Sequence, residues 1–312
     1  MHHMFPFGFR RGFNPLATFG CLRKKPFVIG PIQYPQQYSD VTDFAWTSGK
    51  GDVWTGLLYH TESATVSLTS KPLEQLHKFT LEEAEALVFD SERALELYKR
   101  QYGDILGGKL LKVISVSVEK EFFVKSARVK KDMFEILTVG YLLKRKGIQH
   151  LIQAMSTIVE EFGNVKLKVV GNGPYKENLM RLTKELSLGE YVEFSDYVPR
   201  HELPKIYANC DVYVQPSLSE NFPSAIREAM AAGRPVVATD VGVIGEYVKD
   251  GVTGCLVSPK SSEALARKII DLLSDKELRF KMGQKARKYA EENFNWDKLA
   301  EAWYKTYTRL VE

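Results

Sequence analysis

The stretch Ser219-Glu220-Asn221-Phe222-Pro223-Ser224-Ala225-Ile226-Arg227-Glu228-Ala229-Met230-Ala231-Ala232-Gly233-Arg234-Pro235-Val236-Val237-Ala238-Thr239 reads as a loop, a short helix and a buried strand. Pro223 and Ser224 suit the first turn of a helix, where a missing N–H costs nothing. Ala225 to Ala232 are mostly good helix formers, Gly233 stops the helix, and Pro235 to Ala238 form a short apolar strand. The start of a helix carries amides without internal acceptors and a partial positive charge, so it attracts an anion such as phosphate. Helical side chains lean toward the N-terminus, which tips Glu228 back toward that anion site, while Glu220 precedes it on the loop. One carboxylate before an anion pocket and one hanging over it suit a ligand with hydroxyl groups on both sides of a diphosphate. A nucleotide sugar is such a ligand.

The flanking sequence repeats the same unit. Upstream, Phe134 to Gly140 is a strand and Gly147 to Phe162 has helical spacing. Val165 to Val170 is a strand ended by Gly171-Asn172-Gly173-Pro174, and Tyr175 to Leu186 is a helix. The strand Tyr191 to Phe194, the short helix His201 to Ala208 and the strand Asp211 to Gln215 follow. Downstream come a short helix near Ile244 to Val248, the strand Cys255 to Val257, and amphipathic helices over Ser261 to Leu273 and Lys276 to Glu292. Alternating strands and helices with short turns predict a parallel, doubly wound sheet, whose ligands bind beyond the carboxyl ends of the strands.

The N-terminal part is less regular. Strands are expected at Phe27 to Gly30, Leu87 to Phe89 and Val113 to Ser115, with a helix over Glu92 to Tyr102 and a capping box at Thr80-Leu81-Glu82-Glu83. Gln33 to Thr69 carries few periodic signals and reads as a long functional loop or a set of small elements. The domain break is expected in the charged stretch Val118 to Asp132. That gives domains over 1–132 and 133–293 and a last helix, 294–312, that packs back on the first domain. The stripe Trp296, Leu299, Trp303, Tyr307 and Leu310 has the spacing of a packing face.

The 312 residues and 44% hydrophobic content suffice for two α/β cores. Lys+Arg 43 against Asp+Glu 39 leaves a net charge of +4, and the basic residues are dispersed, which argues against a nucleic-acid partner. Cys21, Cys210 and Cys255 are far apart, match no metal spacing and read as reduced thiols of a cytoplasmic protein. No apolar run reaches the roughly 20 residues of a membrane span, and Met1 to Gly12 has no apolar h-region of a signal peptide. The segment Phe5-Pro6-Phe7-Gly8-Phe9-Arg10-Arg11-Gly12-Phe13 interleaves aromatics with cations. It is either an element lying on the inner face of the membrane beside a lipid acceptor or a loop packed inside the first domain, and the second reading is favoured.

Taken singly, Glu220, Glu228 and the basic cluster Lys144-Arg145-Lys146 read as solvated surface groups. In order they form a denser pattern: Gly140 and Lys146-Gly147, Val170-Gly171-Asn172-Gly173-Pro174, Phe194 with Tyr197-Val198-Pro199, Leu203 to Ala208, Asp211 to Ser217, Glu220-Asn221-Phe222-Pro223, Glu228 to Gly233, Pro235 to Thr239 and Asp250 to Gly254. From Phe134 to Trp296 this pattern resembles the nucleotide-sugar domain of glycosyltransferase family four. The resemblance implies a GT-B fold: two Rossmann-like domains with parallel sheets facing a central cleft, the N-terminal one incomplete in this chain. It implies a retaining, metal-independent glycosyltransferase moving a sugar from a UDP-, GDP- or ADP-linked donor to a glycan, lipid or small-molecule acceptor. No cofactor is implied beyond that co-substrate, and no Asp-x-Asp is present to hold a metal.

By the resemblance, Glu228 accepts hydrogen bonds from the ribose hydroxyls, Glu220 faces hydroxyls of the transferred sugar, and Lys146 neutralises the departing diphosphate, with Arg145 or Lys144 as a second cation. The amides around Asn221, Phe222, Pro223, Ser224 and Ala225 bind sugar and phosphate, Pro223 itself offering no donor. Tyr197 and Val198 frame the base. Gly140, Gly171 and Gly173 line the nucleotide, the last two letting backbone approach it. Two departures stand out. Tyr141 occupies a position where the family usually has Arg, and no first βαβ unit with a glycine-rich loop is recognisable, so the chain is expected to begin inside the N-terminal domain, with His2-His3-Met4 where a middle strand would be. Gly30 to Tyr34 offers no catalytic His, and His3 and His60 are weak substitutes. Alternatives are a nucleotide-sugar-binding module without turnover and a GT-B phosphorylase or sugar-phosphate synthase.

Overall fold

The computed structural model describes residues 2–3, 28–32, 75, 78–79, 81–124 and 133–311, with the backbone alone for 2–3, 28–32 and 310–311. The segments Phe5 to Phe13 and Gln33 to Thr69, Cys21, His60 and the Thr80 start of the capping box lie outside the described residues. The chain divides into two compact units, Met1–Val116 with Asp297–Glu312, and Ser117–Trp296. These units meet at Val116 and Ser117, just before the stretch Val118 to Asp132 in which the sequence reading places a break. The reason is local packing: the Val118 amide donates to the Phe294 carbonyl (2.9 Å) and the Phe122 ring packs on Tyr207 (5.8 Å), which ties 117–124 to the second unit.

In the first unit, β1 (His2–His3), β2 (Val28–Ile32), β3 (Ala86–Phe89) and β4 (Leu110–Val113) form a parallel sheet in that spatial order. His2-His3, expected in a middle strand, lies at the edge of the described sheet. All four β3 residues are buried, as in a strand covered on both faces. Alternation along the strand sends Leu87 and Phe89 against α1 (Glu92–Leu106), while Ala86 and Val88 meet Leu299, Ala302, Trp303 and Tyr307 of α9 (Trp296–Val311). Trp296 itself is 52% exposed and stands outside that packing face. Ser91 caps α1 by accepting from the Ala94 amide. The strand expected at Val113 to Ser115 begins instead at Leu110. After one further bond from the Ile114 amide to the Phe89 carbonyl (2.8 Å) the chain leaves the ladder, so Val116 and Val118 are apolar without being sheet residues.

In the second unit the elements follow as β5 (Phe134–Val139), α2 (Ile148–Glu161), β6 (Val165–Val170), α3 (Lys176–Glu185), β7 (Val192–Ser195), α4 (Leu203–Asn209), β8 (Val212–Gln215), α5 (Ser224–Ala231), β9 (Val236–Thr239), α6 (Ile244–Tyr247), β10 (Gly254–Val257), α7 (Ser262–Ser274) and α8 (Lys276–Asn293). These match the expected elements to within a residue or two at each end. Six parallel strands lie in the order β10-β9-β8-β5-β6-β7. One face, including Ile136, Leu167, Val214 and Val237, packs on Leu151, Ile152 and Met155 of α2 and Leu265, Ile269 and Leu272 of α7. The opposite face carries Tyr213, its ring 5.6 Å from that of Tyr207 on α4. Among the described residues Cys210 and Cys255 are buried and outside any disulfide, and no helix is long and apolar enough to cross a membrane.

The strand order decides where a ligand can bind. From β5 the chain builds outward through β6 and β7, then crosses to β8, which pairs with β5 on its other side (Ile136 with Val212, Leu137 with Tyr213). Connections leave β5 and β8 in opposite directions and open a crevice beyond their carboxyl ends. The loops there are joined backbone to backbone: the Leu218 amide donates to the Arg145 carbonyl at 2.7 Å. Gly147, with φ +69°, makes this approach possible, because a Cβ at that position would stand 1.8 Å from the Pro216 carbonyl oxygen. Gly147→Ala is expected to cost about 2 kcal/mol or more of stability, since it combines left-handed strain with a backbone clash. Thermal unfolding of the variant beside the parent checks this.

Candidate active site

The loop after β5 ends in a 3₁₀ turn, Lys144–Lys146, and the loop after β8 carries Glu220. Across the crevice the Lys146 Nζ meets Glu220 Oε2 at 2.5 Å, the side chains being 17% and 5% exposed. The same Oε2 accepts from Gln215 Nε2 (3.2 Å) and Ser217 Oγ (3.2 Å), while Oε1 accepts weakly from the Phe222 amide (3.4 Å). Ser217 is fixed in turn by Gln215 and by the Thr239 hydroxyl on its carbonyl. Glu220 is therefore a buried, oriented carboxylate rather than a solvated one. Burial alone pushes its carboxyl up, but the Lys146 charge and hydrogen bond, the Arg145 charge and the Phe222 amide outweigh burial and hold it below the ordinary value. Arg145 is itself anchored through Nη1 to the Ser219 carbonyl (3.4 Å).

Glu228 lies on the second turn of α5 and is 4% exposed. Its Oε2 accepts from the Tyr207 hydroxyl (2.9 Å) and its Oε1 from Arg200 Nη1 (3.0 Å). Arg200 forks onto Glu119 with Nε on Oε1 (2.8 Å) and Nη2 on Oε2 (2.5 Å), and its guanidinium lies over the Phe122 ring at 5.1 Å. Tyr207 is wholly buried, which drives its hydroxyl pKa far up and keeps it a donor. The two carboxylates belong to one neighbourhood: burial raises the Tyr213 hydroxyl, and the charges of Glu228 and Glu220 both add to that shift. Tyr213 donates to Gln215 Oε1 (2.5 Å), so a buried polar chain runs from Lys146 through Glu220, Gln215 and Tyr213 to the Tyr207 ring and Glu228.

Among the described residues no side chain caps the start of α5. The amides that follow Ser224 in this first turn have no acceptor inside the helix, so they are the donors an anion would meet. Two amides named from sequence are engaged locally: Phe222 with Glu220, and Ser224 with the Phe222 carbonyl (2.9 Å). Asn221 and Ala225 are half-buried on either side of the buried Pro223. Gly140, at the end of β5, accepts the crowding of the next loop. A Cβ on Gly171 would stand 2.0 Å from the Gly140 carbonyl oxygen and one on Gly173 2.5 Å from that of Leu142, so loop-to-loop packing already requires both glycines. Tyr197 stands in solvent after β7, 78% exposed, with Val198 half-buried beside it. Sequence reasoning gave no role to Arg200, Tyr207, Glu119, Gln215 or Ser217. Four of them sit within or beside motifs that were read, and only their side-chain directions reveal what they hold. Among the described residues no group of three or more His, Cys, Asp or Glu is placed to hold a metal ion.

Residues 119–289 match the family described as Glycosyl transferases group 1, more than half of the chain. The chain belongs to this family. It is 37% identical over 194 residues to an uncharacterized glycosyltransferase of Methanocaldococcus jannaschii, covering 62% of this chain and 50% of that protein. It is 33% identical over 168 residues to the GDP-mannose-dependent alpha-(1-6)-phosphatidylinositol monomannoside mannosyltransferase of Mycolicibacterium smegmatis, covering 52% and 44%. The solved sucrose-phosphate synthase from Thermosynechococcus elongatus aligns with a TM-score of 0.67 at 28% identity over 77% of this chain and 62% of that one. The chain spans about half the length of the curated relatives it matches. The fold is α/β with parallel sheets, of the GT-B type.

The buried pair makes a sign prediction. A carboxyl lowered by folding contributes stability that is full above its ordinary value of 4.5 and is lost as pH falls through its folded value. Glu220→Gln is expected to remove that part of the acid dependence. Lys146→Met, which strands a buried carboxylate, is expected to cost about 3 kcal/mol near neutral pH. Denaturant titrations of both variants between about pH 3 and 7 check the two outcomes.

Proposed function

We propose that this chain binds a nucleotide-diphosphate sugar at the crevice between β5 and β8 and transfers its sugar with retention of anomeric configuration. The observation that carries this reading is the junction of Lys146, Glu220 and the uncapped start of α5 at one switch point. A nucleoside diphosphate leaves when its growing negative charge meets preorganised donors. Among the described residues Lys146 uses one of its three N–H groups, on Glu220, which leaves two for phosphate oxygens. The α5 amides add a fixed dipole on the other side.

Glu220 orients the sugar. Its Oε2 is saturated by three donors, while among the described residues Oε1 holds only the weak Phe222 contact, which leaves Oε1 to accept from a sugar hydroxyl. A carboxylate so tied is a poor nucleophile, so the reading assigns the new bond to an acceptor oxygen approaching the anomeric carbon from the face that the diphosphate leaves. The sugar–phosphate bond breaks with its electron pair going to the diphosphate, through an oxocarbenium-like transition state, and the acceptor hydroxyl gives its proton to the departing diphosphate oxygen. Glu228 accepts from the ribose hydroxyls, and Tyr197 and Val198 frame the base. Lys146 and the amides supply charge stabilisation without a bound metal, so activity is expected to persist in a chelator.

The family membership and the GDP-mannose-dependent relative support a nucleotide-sugar donor. A second reading, a synthase with a phosphorylated acceptor, draws on the match to sucrose-phosphate synthase. A thermal-shift panel of UDP-, GDP- and ADP-sugars tests the donor: a ligand at about a hundred times its dissociation constant stabilises by about 2.7 kcal/mol. Glu228→Ala is expected to weaken the shift, and Lys146→Ala to weaken it for the free nucleoside diphosphate as well. Unchanged shifts in both variants would sink the assignment. Transfer of a labelled sugar, with the product anomer read by NMR, separates the enzyme from a binding module, which would bind donor without turnover.

A further inference from the structure

We propose that Arg200, held by Glu119, is a positioning residue that sets Glu228 to receive the ribose of the donor. This rests on the donor-site reading above and deepens it. The argument begins with the burial of Glu228. A carboxylate 4% exposed has given up its water and needs donors in exchange, and the chain supplies two, on different oxygens: Tyr207 on Oε2 and Arg200 on Oε1. Both come from one short stretch, the 3₁₀ turn Arg200–Glu202 running directly into α4. One donor is fixed by complete burial. The other is a half-exposed arginine that would wander if nothing held it.

Glu119 holds it. Two of the guanidinium nitrogens, Nε and Nη2, fork onto the two Glu119 oxygens, and the Phe122 ring lies under the plane. The fork leaves Nη1 to reach Glu228, and a planar guanidinium fixed at one edge fixes the other. The Glu228 plane is thereby clamped at both oxygens, and among the described residues each oxygen has a single donor, which leaves it a second lone pair. A pair of vicinal hydroxyls can donate to those two lone pairs. Arg200 does not have to leave for the ribose to enter.

The alternative is that Arg200 occupies the place of a ribose hydroxyl and competes with it. The two readings have opposite signs. Calorimetry on the full chain compares UDP, GDP and ADP with their 2′-deoxy counterparts in the parent and in Arg200→Gln, Glu119→Gln, Glu228→Gln and Lys146→Ala. The parent is expected to prefer the ribonucleotide, and Glu228→Gln to abolish the preference. Arg200→Gln is expected to shrink it by about tenfold, the worth of one charge-assisted hydrogen bond. Glu119→Gln, which leaves Arg200 in place but unheld, shrinks it less. Lys146→Ala weakens both nucleotides together and leaves the ratio alone. A parent ratio retained in Arg200→Gln, or tighter ribonucleotide binding by that variant, overturns the proposal and spares the donor site. A parent that binds none of the nucleotides, or does not distinguish ribose from deoxyribose, ends the donor-site reading and this proposal with it. Should Arg200→Gln unfold, Glu119→Gln decides: its ratio must fall below that of the parent.

Discussion

The contact between Lys146 and Glu220 is the constraint around which the second unit is arranged. It joins the loops of two neighbouring strands that the chain reaches by opposite routes, and it does so where water is nearly excluded. An ion pair in that setting stabilises only when its geometry is good and the remaining lone pairs are filled. Gln215 and Ser217 fill those of Oε2, and the Phe222 amide takes one on Oε1. The hydroxyl of Thr239, from the next strand, holds Ser217 in place. Three strands of the sheet are thus recruited to keep one carboxylate ionised and still.

Glu228 is held still by other means. A buried phenol and a forked arginine divide its two oxygens, and a second carboxylate, Glu119, keeps the arginine in line. The two acids are alike in burial and differ in partners, in keeping with the different tasks proposed for them: Glu220 is held against a cation, and Glu228 between a phenol and an arginine. Their common neighbour Tyr213 links the two supports through Gln215 and Tyr207. A change on either side is felt through packed, hydrogen-bonded groups.

Close backbone approach is the condition for all of this. The loops after β5, β6 and β8 lie against one another with carbonyl oxygens where side chains would otherwise stand. Glycine at 147, 171 and 173 permits the contact, and the Leu218–Arg145 hydrogen bond completes it. The crevice floor is therefore backbone, which cannot adjust its shape by changing rotamers. The charged side chains rise from that floor.

The sequence alone determined the alternation of strands and helices from Phe134 to Asn293, because each element carries its own period and its own boundary residues: Gly233 ends α5, and Ser261 and Asp275 cap the starts of α7 and α8. It also picked out Lys146, Glu220 and Glu228 as a set, through the order of motifs around them. It placed β4 three residues late, since apolar residues at Ile114 to Val118 look alike whether they enter a ladder or leave it. What tertiary structure decided was partnership. That Lys146 pairs with Glu220, that Gly171 and Gly173 serve neighbouring loops, and that Arg200 reaches Glu228 while gripping Glu119 all join residues far apart in the chain. Local propensity does not encode such meetings; they follow from which strands lie side by side and which way each side chain then points.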